Sequence, residues 1–362
     1  MKIPKFRLEY DEEFIERFTD GCKEILKCSM LTNASNVKLF EEKFAKFIGT
    51  KYAVAVNSGT GALEVALRAV DAEDKAVIIS DNTMAAQAMA VERAGAFFFP
   101  ADIELKTFSI SPIFLSHAVG KTIKILILTH IGGLISNKIK EIKRICKENN
   151  ILLIEDAAHA HGSKNAGKLG EIGCFSFFPT KVMTTGEGGM LTTDNEELYE
   201  IIKVIRNFGR VEGRDWIHLI DSGNFKMTEF QGLLGCLELE RVEKRIKKRQ
   251  HIASLYNKNL DKELYSVATQ RGCSYYKTIV KLVKPELSKV RHLCKSNGIS
   301  LTGQVYRLPI HKQPIYEGMF KDSLYPATNH FSKNHICPPC YPELNDWEVE
   351  YVCEVLSQLP TD

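Results

Sequence analysis

The feature that most constrains this chain is Ile123–Thr129, reading IKILILT, in which a single lysine interrupts a run of apolar residues. So short and so apolar a run reads as a parallel strand covered on both faces. Short strand patterns recur on either side of it: Lys51–Val56, Ala76–Ser80, Ala96–Phe99 and Ile151–Ile154. Between them lie helical spacings over Ala62–Val70, Thr83–Ala94 and Lys138–Asn149. Alternation of this kind predicts an α/β protein whose mostly parallel sheet is flanked by helices, with ligands at the carboxyl ends of the strands. Two further helical patterns, over residues 11–29 and Val37–Phe47, precede it.

The length of 362 residues exceeds what one small core serves. Residues 1–250 are expected to form a large domain and 251–362 a smaller α+β one. The long helical pattern Thr228–Leu260 links them. The second part holds strand-like Tyr275–Val283, a helix over Leu287–Asn297, strand-like Leu301–Tyr306 and a terminal helix over Asp346–Leu356.

Charge excludes one class of partner. Lys+Arg number 48 against 45 Asp+Glu, a net of +3, too balanced for a nucleic-acid binder. The amino terminus, MKIPKFRLEYDEEF, has no apolar signal region, and no run of about 18 apolar residues occurs. A cytoplasmic protein with no membrane partner is expected, its ten cysteines reduced. Cys337-Pro-Pro-Cys340 lacks a second ligand pair, so it reads as structural and not as a metal site.

Several residues invite chemistry. Cys174–Phe178 reads as a buried strand, and Pro179-Thr180 turns it into Lys181 ahead of Gly186-Glu187-Gly188-Gly189 and a second strand, Met190–Thr193. Lys181 is either a solvated charge or an amine whose pKa is lowered by desolvation, as Schiff-base chemistry requires. Asp156, at the end of a buried strand, either faces a crevice and needs a cation or caps a helix. Asn57-Ser-Gly-Thr-Gly61 joins a strand to a helix, an arrangement that points backbone N–H groups at an anion or merely makes a turn.

In order and spacing these pieces resemble the DegT/DnrJ/EryC1/StrS family of pyridoxal-phosphate-dependent nucleotide-sugar aminotransferases. The resemblance runs from Phe40-Glu-Glu-Lys-Phe44 through Thr129-His-Ile-Gly-Gly133 and Ile154–Gly162 to Phe175–Lys181. It continues through Asn224–Glu229 and Pro309–Pro314 to Pro338–Pro342. It implies fold type I, with the cofactor pyridoxal 5'-phosphate held as a Schiff base by Lys181, which then shuttles the proton. Asp156 would bond the pyridine nitrogen, and His159 the phenolic oxygen. Gly59 and Thr60 amides with the Ser176 hydroxyl would cradle the phosphate. Asn224 would reach the phosphate of a neighbouring subunit, implying a homodimer with shared active sites. Glu187 and His311 are candidates for the substrate pocket, and His130 lies in a matching motif.

The substrates implied are an amino-acid donor, L-glutamate, and a keto group on a nucleotide-linked deoxysugar. Arg210–Asn224 and the residues around Tyr306–His311 would select the sugar. Two departures stand out: Met84 occupies the place of the family's ring-stacking aromatic, and Lys226 replaces an arginine after Asn224. Alternatives are a sugar dehydratase on the same scaffold, whose branch carries histidine where Lys181 stands, and a non-catalytic regulator retaining the fold.

Overall fold

The computed structural model describes residues 2–120, 122–211, 213 and 216–359. Two helices, α1 (Glu12–Cys28) and α2 (Ser35–Ile48), lead to β1 (Tyr52–Val56) and α3 (Gly59–Ala69). Then follow β2 (Ala76–Ser80), α4 (Ala85–Arg93), β3 (Phe97–Ala101), α5 (Pro112–Ala118), β4 (Ile123–Thr129) and α6 (Ile139–Glu148). Next come β5 (Leu152–Asp156), β6 (Ile172–Ser176), β7 (Gly189–Thr193), α7 (Glu196–Arg206) and the 31-residue α8 (Glu229–Asn259). The chain ends with β8 (Tyr265–Val267), β9 (Val280–Leu282), α9 (Leu287–Ser296), α10 (Pro326–Lys333), β10 (His335–Ile336) and α11 (Asp346–Leu356).

Seven strands form one sheet in the order β1-β7-β6-β5-β4-β2-β3. Every neighbouring pair is parallel except those of β7, which is antiparallel to both β1 and β6. The fold is therefore the expected α/β one. β4 shows why its sequence is so apolar. Ile125 and Ile127 join the cluster beneath α3, α4 and α7, whereas Leu126 and Leu128 join the one beneath α5 and α6. Side chains alternate across a strand, so a strand covered on both faces has no position for a polar residue. Each such side chain contributes about 1.5–3 kcal/mol by leaving water. Only Lys124, near the start of the strand, is exposed.

Register aligns the ends that matter. Thr129 of β4 pairs with Asp156 of β5, and Asp156 pairs with Cys174 of β6. Three elements differ from expectation. β6 stops at Ser176 because the Phe177 N–H turns away to the Gly188 carbonyl, and Phe178 is exposed. Of Tyr275–Val283 only Val280–Leu282 is strand, since Tyr275 has a positive φ of 49°. Leu301–Tyr306 forms no strand; Gly303 has φ 85° there.

α8 passes residue 250 without interruption. Beyond it an apolar cluster gathers Ile252 through Leu356 together with Ile3, Ile103, Phe108, Ile131 and Leu134. β8, β9 and β10 form a separate antiparallel sheet. Eight of the ten cysteines, among them Cys337 and Cys340, are buried free thiols; Cys22 and Cys28 on α1 are not buried. Among the described residues no helix is long and apolar enough to cross a membrane. Within the segment Arg210–Asn224, residues 212, 214 and 215 lie outside the described residues.

Candidate active site

The carboxyl ends of β4, β5 and β6 carry the site. Asp156 closes β5 and is buried. The Ala158 N–H donates to its Oδ1 at 3.1 Å, and the Gln87 side-chain amide to its Oδ2 at 2.9 Å. The same Gln87 nitrogen reaches Thr129 Oγ1 at 3.0 Å, so the first turn of α4 is tied to both strand ends. Burial pushes the Asp156 carboxyl up, against the pull of the Ala158 N–H, Lys181, His130 and Gln87. Among the described residues no cation pairs with it within 4.0 Å, so a buried carboxylate is oriented but not neutralised.

Lys181 lies in the turn that leaves β6, its N–H donating to the Phe178 carbonyl at 2.9 Å. Its Nζ stands 4.7 Å from the centroid of the Tyr276 ring and makes no hydrogen bond among the described residues. Burial lowers its pKa, Tyr276 and Asp156 counter that, and Lys277 adds to the lowering. The Tyr276 hydroxyl meets Thr180 Oγ1 at 3.1 Å. Burial raises this phenol, but Lys181, Lys277 and the Thr180 bond outweigh it and leave it below its ordinary value.

His159 is packed 4.3 Å from the Tyr276 ring and 5.8 Å from the Tyr306 ring. The Gly132 N–H donates to its Nδ1 at 3.4 Å, which assigns the ring proton to Nε2, facing the Tyr306 hydroxyl at 3.3 Å. Burial first, then Lys181 and Lys277, hold its pKa well below the ordinary value, so it is neutral.

The turn before α3 supplies the third feature. Ser58 caps the helix, accepting from the Gly61 N–H at 3.0 Å. The N–H groups of Gly59 and Thr60, in the first turn, have no intrahelical partner and meet no protein acceptor among the described residues. Ser176, the last residue of β6, is pressed against this turn, and its hydroxyl makes no hydrogen bond among the described residues.

The other expected residues make contacts of their own. Met84 is the N-cap of α4 and 58% exposed. Glu187 and Asn224 are exposed; the Glu187 carbonyl accepts from Gln231 at 2.7 Å and the Asn224 carbonyl from Asn57 at 3.0 Å. Lys226 Nζ reaches Asn207 Oδ1 at 3.2 Å and lies 4.1 Å over the Phe208 ring. His311 is buried, with Nδ1 on Asp81 at 2.6 Å and Nε2 on Asp322 at 2.8 Å, so neither ring nitrogen is free for a sugar. His130 bonds Glu155, which also accepts from the N–H groups of Gly167, Leu169 and Gly170; this is a buried latch on the 167–170 turn.

Sequence reasoning did not single out Gln87, Tyr276 or the hydroxyl of Tyr306 as site groups. Gln87 sits three residues after Met84, one helical turn along, which is the signal that could have found it. Tyr276 lay inside a predicted strand whose alternation gave no reason to prefer it.

A buried carboxylate without a cation, an amine without an acceptor and a turn of unpartnered N–H groups fit pyridoxal 5'-phosphate. Asp156 suits its ring nitrogen, Lys181 its aldehyde carbon, and Gly59, Thr60 and Ser176 its phosphate.

Comparison with known proteins agrees with this chemistry. The chain is 30% identical to a UDP-4-amino-4,6-dideoxy-N-acetyl-beta-L-altrosamine transaminase of Campylobacter jejuni, over 97% of each chain. It is 28% identical to a GDP-perosamine synthase of Vibrio cholerae, over 88% of this chain and 89% of that one. In fold it matches Helicobacter pylori PseC, an aminotransferase involved in the biosynthesis of pseudoaminic acid, with a TM-score of 0.89, 22% identity and 99% of both chains covered. The profile of the DegT/DnrJ/EryC1/StrS aminotransferase family matches residues 12–357, and the chain belongs to that family.

Proposed function

We propose that this chain is a pyridoxal-phosphate-dependent aminotransferase that moves an amino group from L-glutamate to a keto group of a nucleotide-linked deoxysugar. The observation that carries this reading is the free, partly buried amine of Lys181 in one site with the uncompensated carboxylate of Asp156. The relatives of known substrate act on UDP- and GDP-linked sugars by their names, which supports a nucleotide-linked acceptor.

When bound, pyridoxal 5'-phosphate supplies an electron sink at its protonated ring. The residues of this chain do the rest. Asp156, its carboxylate held in place by Gln87 and Ala158, would keep the proton on the ring nitrogen. Neutral His159 would donate a hydrogen bond to the phenolic oxygen. The N–H groups of Gly59 and Thr60 and the hydroxyl of Ser176 would hold the phosphate. Lys181, its pKa lowered by burial, would accept the donor's α-proton at its Nζ and give that same proton up within the half-reaction, so that its own protonation state is restored. Exposed Met84 would cover the ring face in place of an aromatic.

Exposed Asn224 serves the phosphate of a partner subunit, which makes the working unit a homodimer, and exposed Glu187 borders the sugar. Residues 1–250 act as the cofactor-binding domain, 251–362 as the smaller one, and the enzyme works in the cytoplasm.

The test has two halves. Cofactor-loaded protein given L-glutamate should release 2-oxoglutarate stoichiometrically, and Lys181→Ala should release none. The aminated cofactor form is then offered nucleotide-linked 3- and 4-keto sugars. Amination of one class completes the assignment, and no response to any amino donor overturns it.

A further inference from the structure

Tyr276 touches Lys181 in an unusual way. The ring presents its face, with Lys181 Nζ 4.7 Å and Lys277 Nζ 5.7 Å from its centroid. The hydroxyl is committed elsewhere, to Thr180 Oγ1 at 3.1 Å. One side chain therefore grips two consecutive residues, the turn at 180 by its hydroxyl and the amine at 181 by its π-face. The edge of the arrangement is closed by His159, whose ring lies 4.3 Å from that of Tyr276 at 32°. The backbone behind it is fixed as well, since buried Arg249 donates to the Tyr276 carbonyl at 3.2 Å.

We infer that Tyr276 is a positioning residue for the site's amine, holding Lys181 Nζ through its ring face and the preceding turn through its hydroxyl. This rests on Lys181 being the functional amine of the aminotransferase. An aromatic face attracts a cation and not a neutral amine, by about 0.5–2 kcal/mol according to burial. The ring must therefore favour the ammonium form as well as its place. The other groups bearing on Lys181 are Asp156, which attracts the ammonium, and Lys277, which repels it. His159 and His161 are held neutral by burial and bring no charge. Replacing the ring by an aliphatic group of similar bulk should free the amine at a lower pH.

The measurement uses the full chain without cofactor. Lys181 is labelled with an amine-selective acylating reagent across a pH series, its modification quantified by peptide mass spectrometry, and the fold checked by thermal unfolding. Tyr276→Leu and Tyr276→Met should each label about three- to tenfold faster than the parent at a fixed pH below the midpoint, with the midpoint moved down. Tyr276→Phe, which keeps the face, should stay within about twofold of the parent. Superposed profiles for parent and both aliphatic variants would overturn the proposal. So would a Tyr276→Phe profile displaced as far as theirs, because the hydroxyl alone would then be responsible. Since acylation needs neither cofactor nor sugar, its outcome is separate from whether the chain transaminates.

Discussion

A methyl group on Gly59 would lie 2.5 Å from the Ser176 Cβ and 2.9 Å from its Oγ. The start of α3 and the end of β6 thus meet with no room for a side chain between them. That closeness brings the Ser176 hydroxyl to the unpartnered first-turn N–H groups. Gly59→Ala should cost about 1–3 kcal/mol by overpacking, read from urea unfolding. It should also weaken cofactor binding, read by fluorescence titration. Ser176→Gly in the same chain should recover part of the stability and none of the binding, because it relieves the contact while deleting the hydroxyl.

Gln87 is the only side chain that donates to the Asp156 carboxylate among the described residues. Its own Oε1 is buried without a partner, so the amide is held there by its donor side. Gln87→Leu removes a hydrogen bond to a charged group, a loss of about 1.5–3 kcal/mol. The carboxyl would then be pushed further above its ordinary value, against its role at a protonated ring nitrogen. Cofactor dissociation constants should rise about tenfold or more. An unchanged constant would mean that the Ala158 N–H suffices to orient Asp156.

What the sequence made legible follows from local physics. IKILILT needs no tertiary information, because a strand with two buried faces has no polar positions to disguise it. The Ser58-Gly59-Thr60 turn and Asp156 at a strand end were likewise readable, as features of one element each. Tyr276 was not, because the left-handed backbone at Tyr275 breaks the strand pattern and sends the next side chain toward Lys181. Gln87 required knowing that β4 lies between β2 and β5. For His311, the motif was visible but its partner Asp81 is 230 residues away, and no local pattern reports that both ring nitrogens are engaged.

That histidine makes a pH-sensitive clasp. Asp81 follows β2 and receives both the His311 N–H at 2.9 Å and its Nδ1 at 2.6 Å, while Nε2 meets Asp322. Burial disfavours the imidazolium, yet the Asp81 and Asp322 bonds prevail and its pKa lies above the ordinary 6.5. Burial raises Asp81 as well, but exposed Asp322, held well below its ordinary range by Lys312, His311 and Asn329, is a second counter-charge that keeps the proton on the ring. A raised folded pKa gives stability that is fully present below the unfolded value and lost as pH climbs through the folded one. The thermal midpoint should therefore decline as pH rises above 6.5. Asp322→Asn should shift that decline to lower pH, and Asp81→Ala, which removes the buried partner of Nδ1 and leaves only exposed Asp322 opposite the ring, should shift it further and lower the thermal midpoint at pH below 6.5 as well. A midpoint flat across this window would refute the clasp.

Arg249 links the middle of α8 to the site. It is 1% exposed, and its Nη1 donates to the carbonyls of Tyr275, Tyr276 and Cys340. Burial lowers its pKa, and no carboxylate lies within 4.0 Å of it among the described residues, so hydrogen bonds to these carbonyls stand in for a salt bridge. Arg249→Met removes the cost of a buried charge but takes a donor from those carbonyls, each worth about 1–3 kcal/mol when left unsatisfied. The Tyr275 carbonyl keeps the Cys340 thiol at 3.6 Å, but with those of Tyr276 and Cys340 stranded the loss should win, and urea unfolding should show a destabilisation of about 3 kcal/mol. Arg249→Lys keeps a charge and donors but not the planar fork, and should fall between the two. Because the Tyr276 carbonyl is one of the three, both variants should also speed acylation of Lys181 in the folded protein. If stability drops while Lys181 labelling stays that of the parent, Arg249 braces the smaller sheet's approach to α8 without setting the ring over the amine.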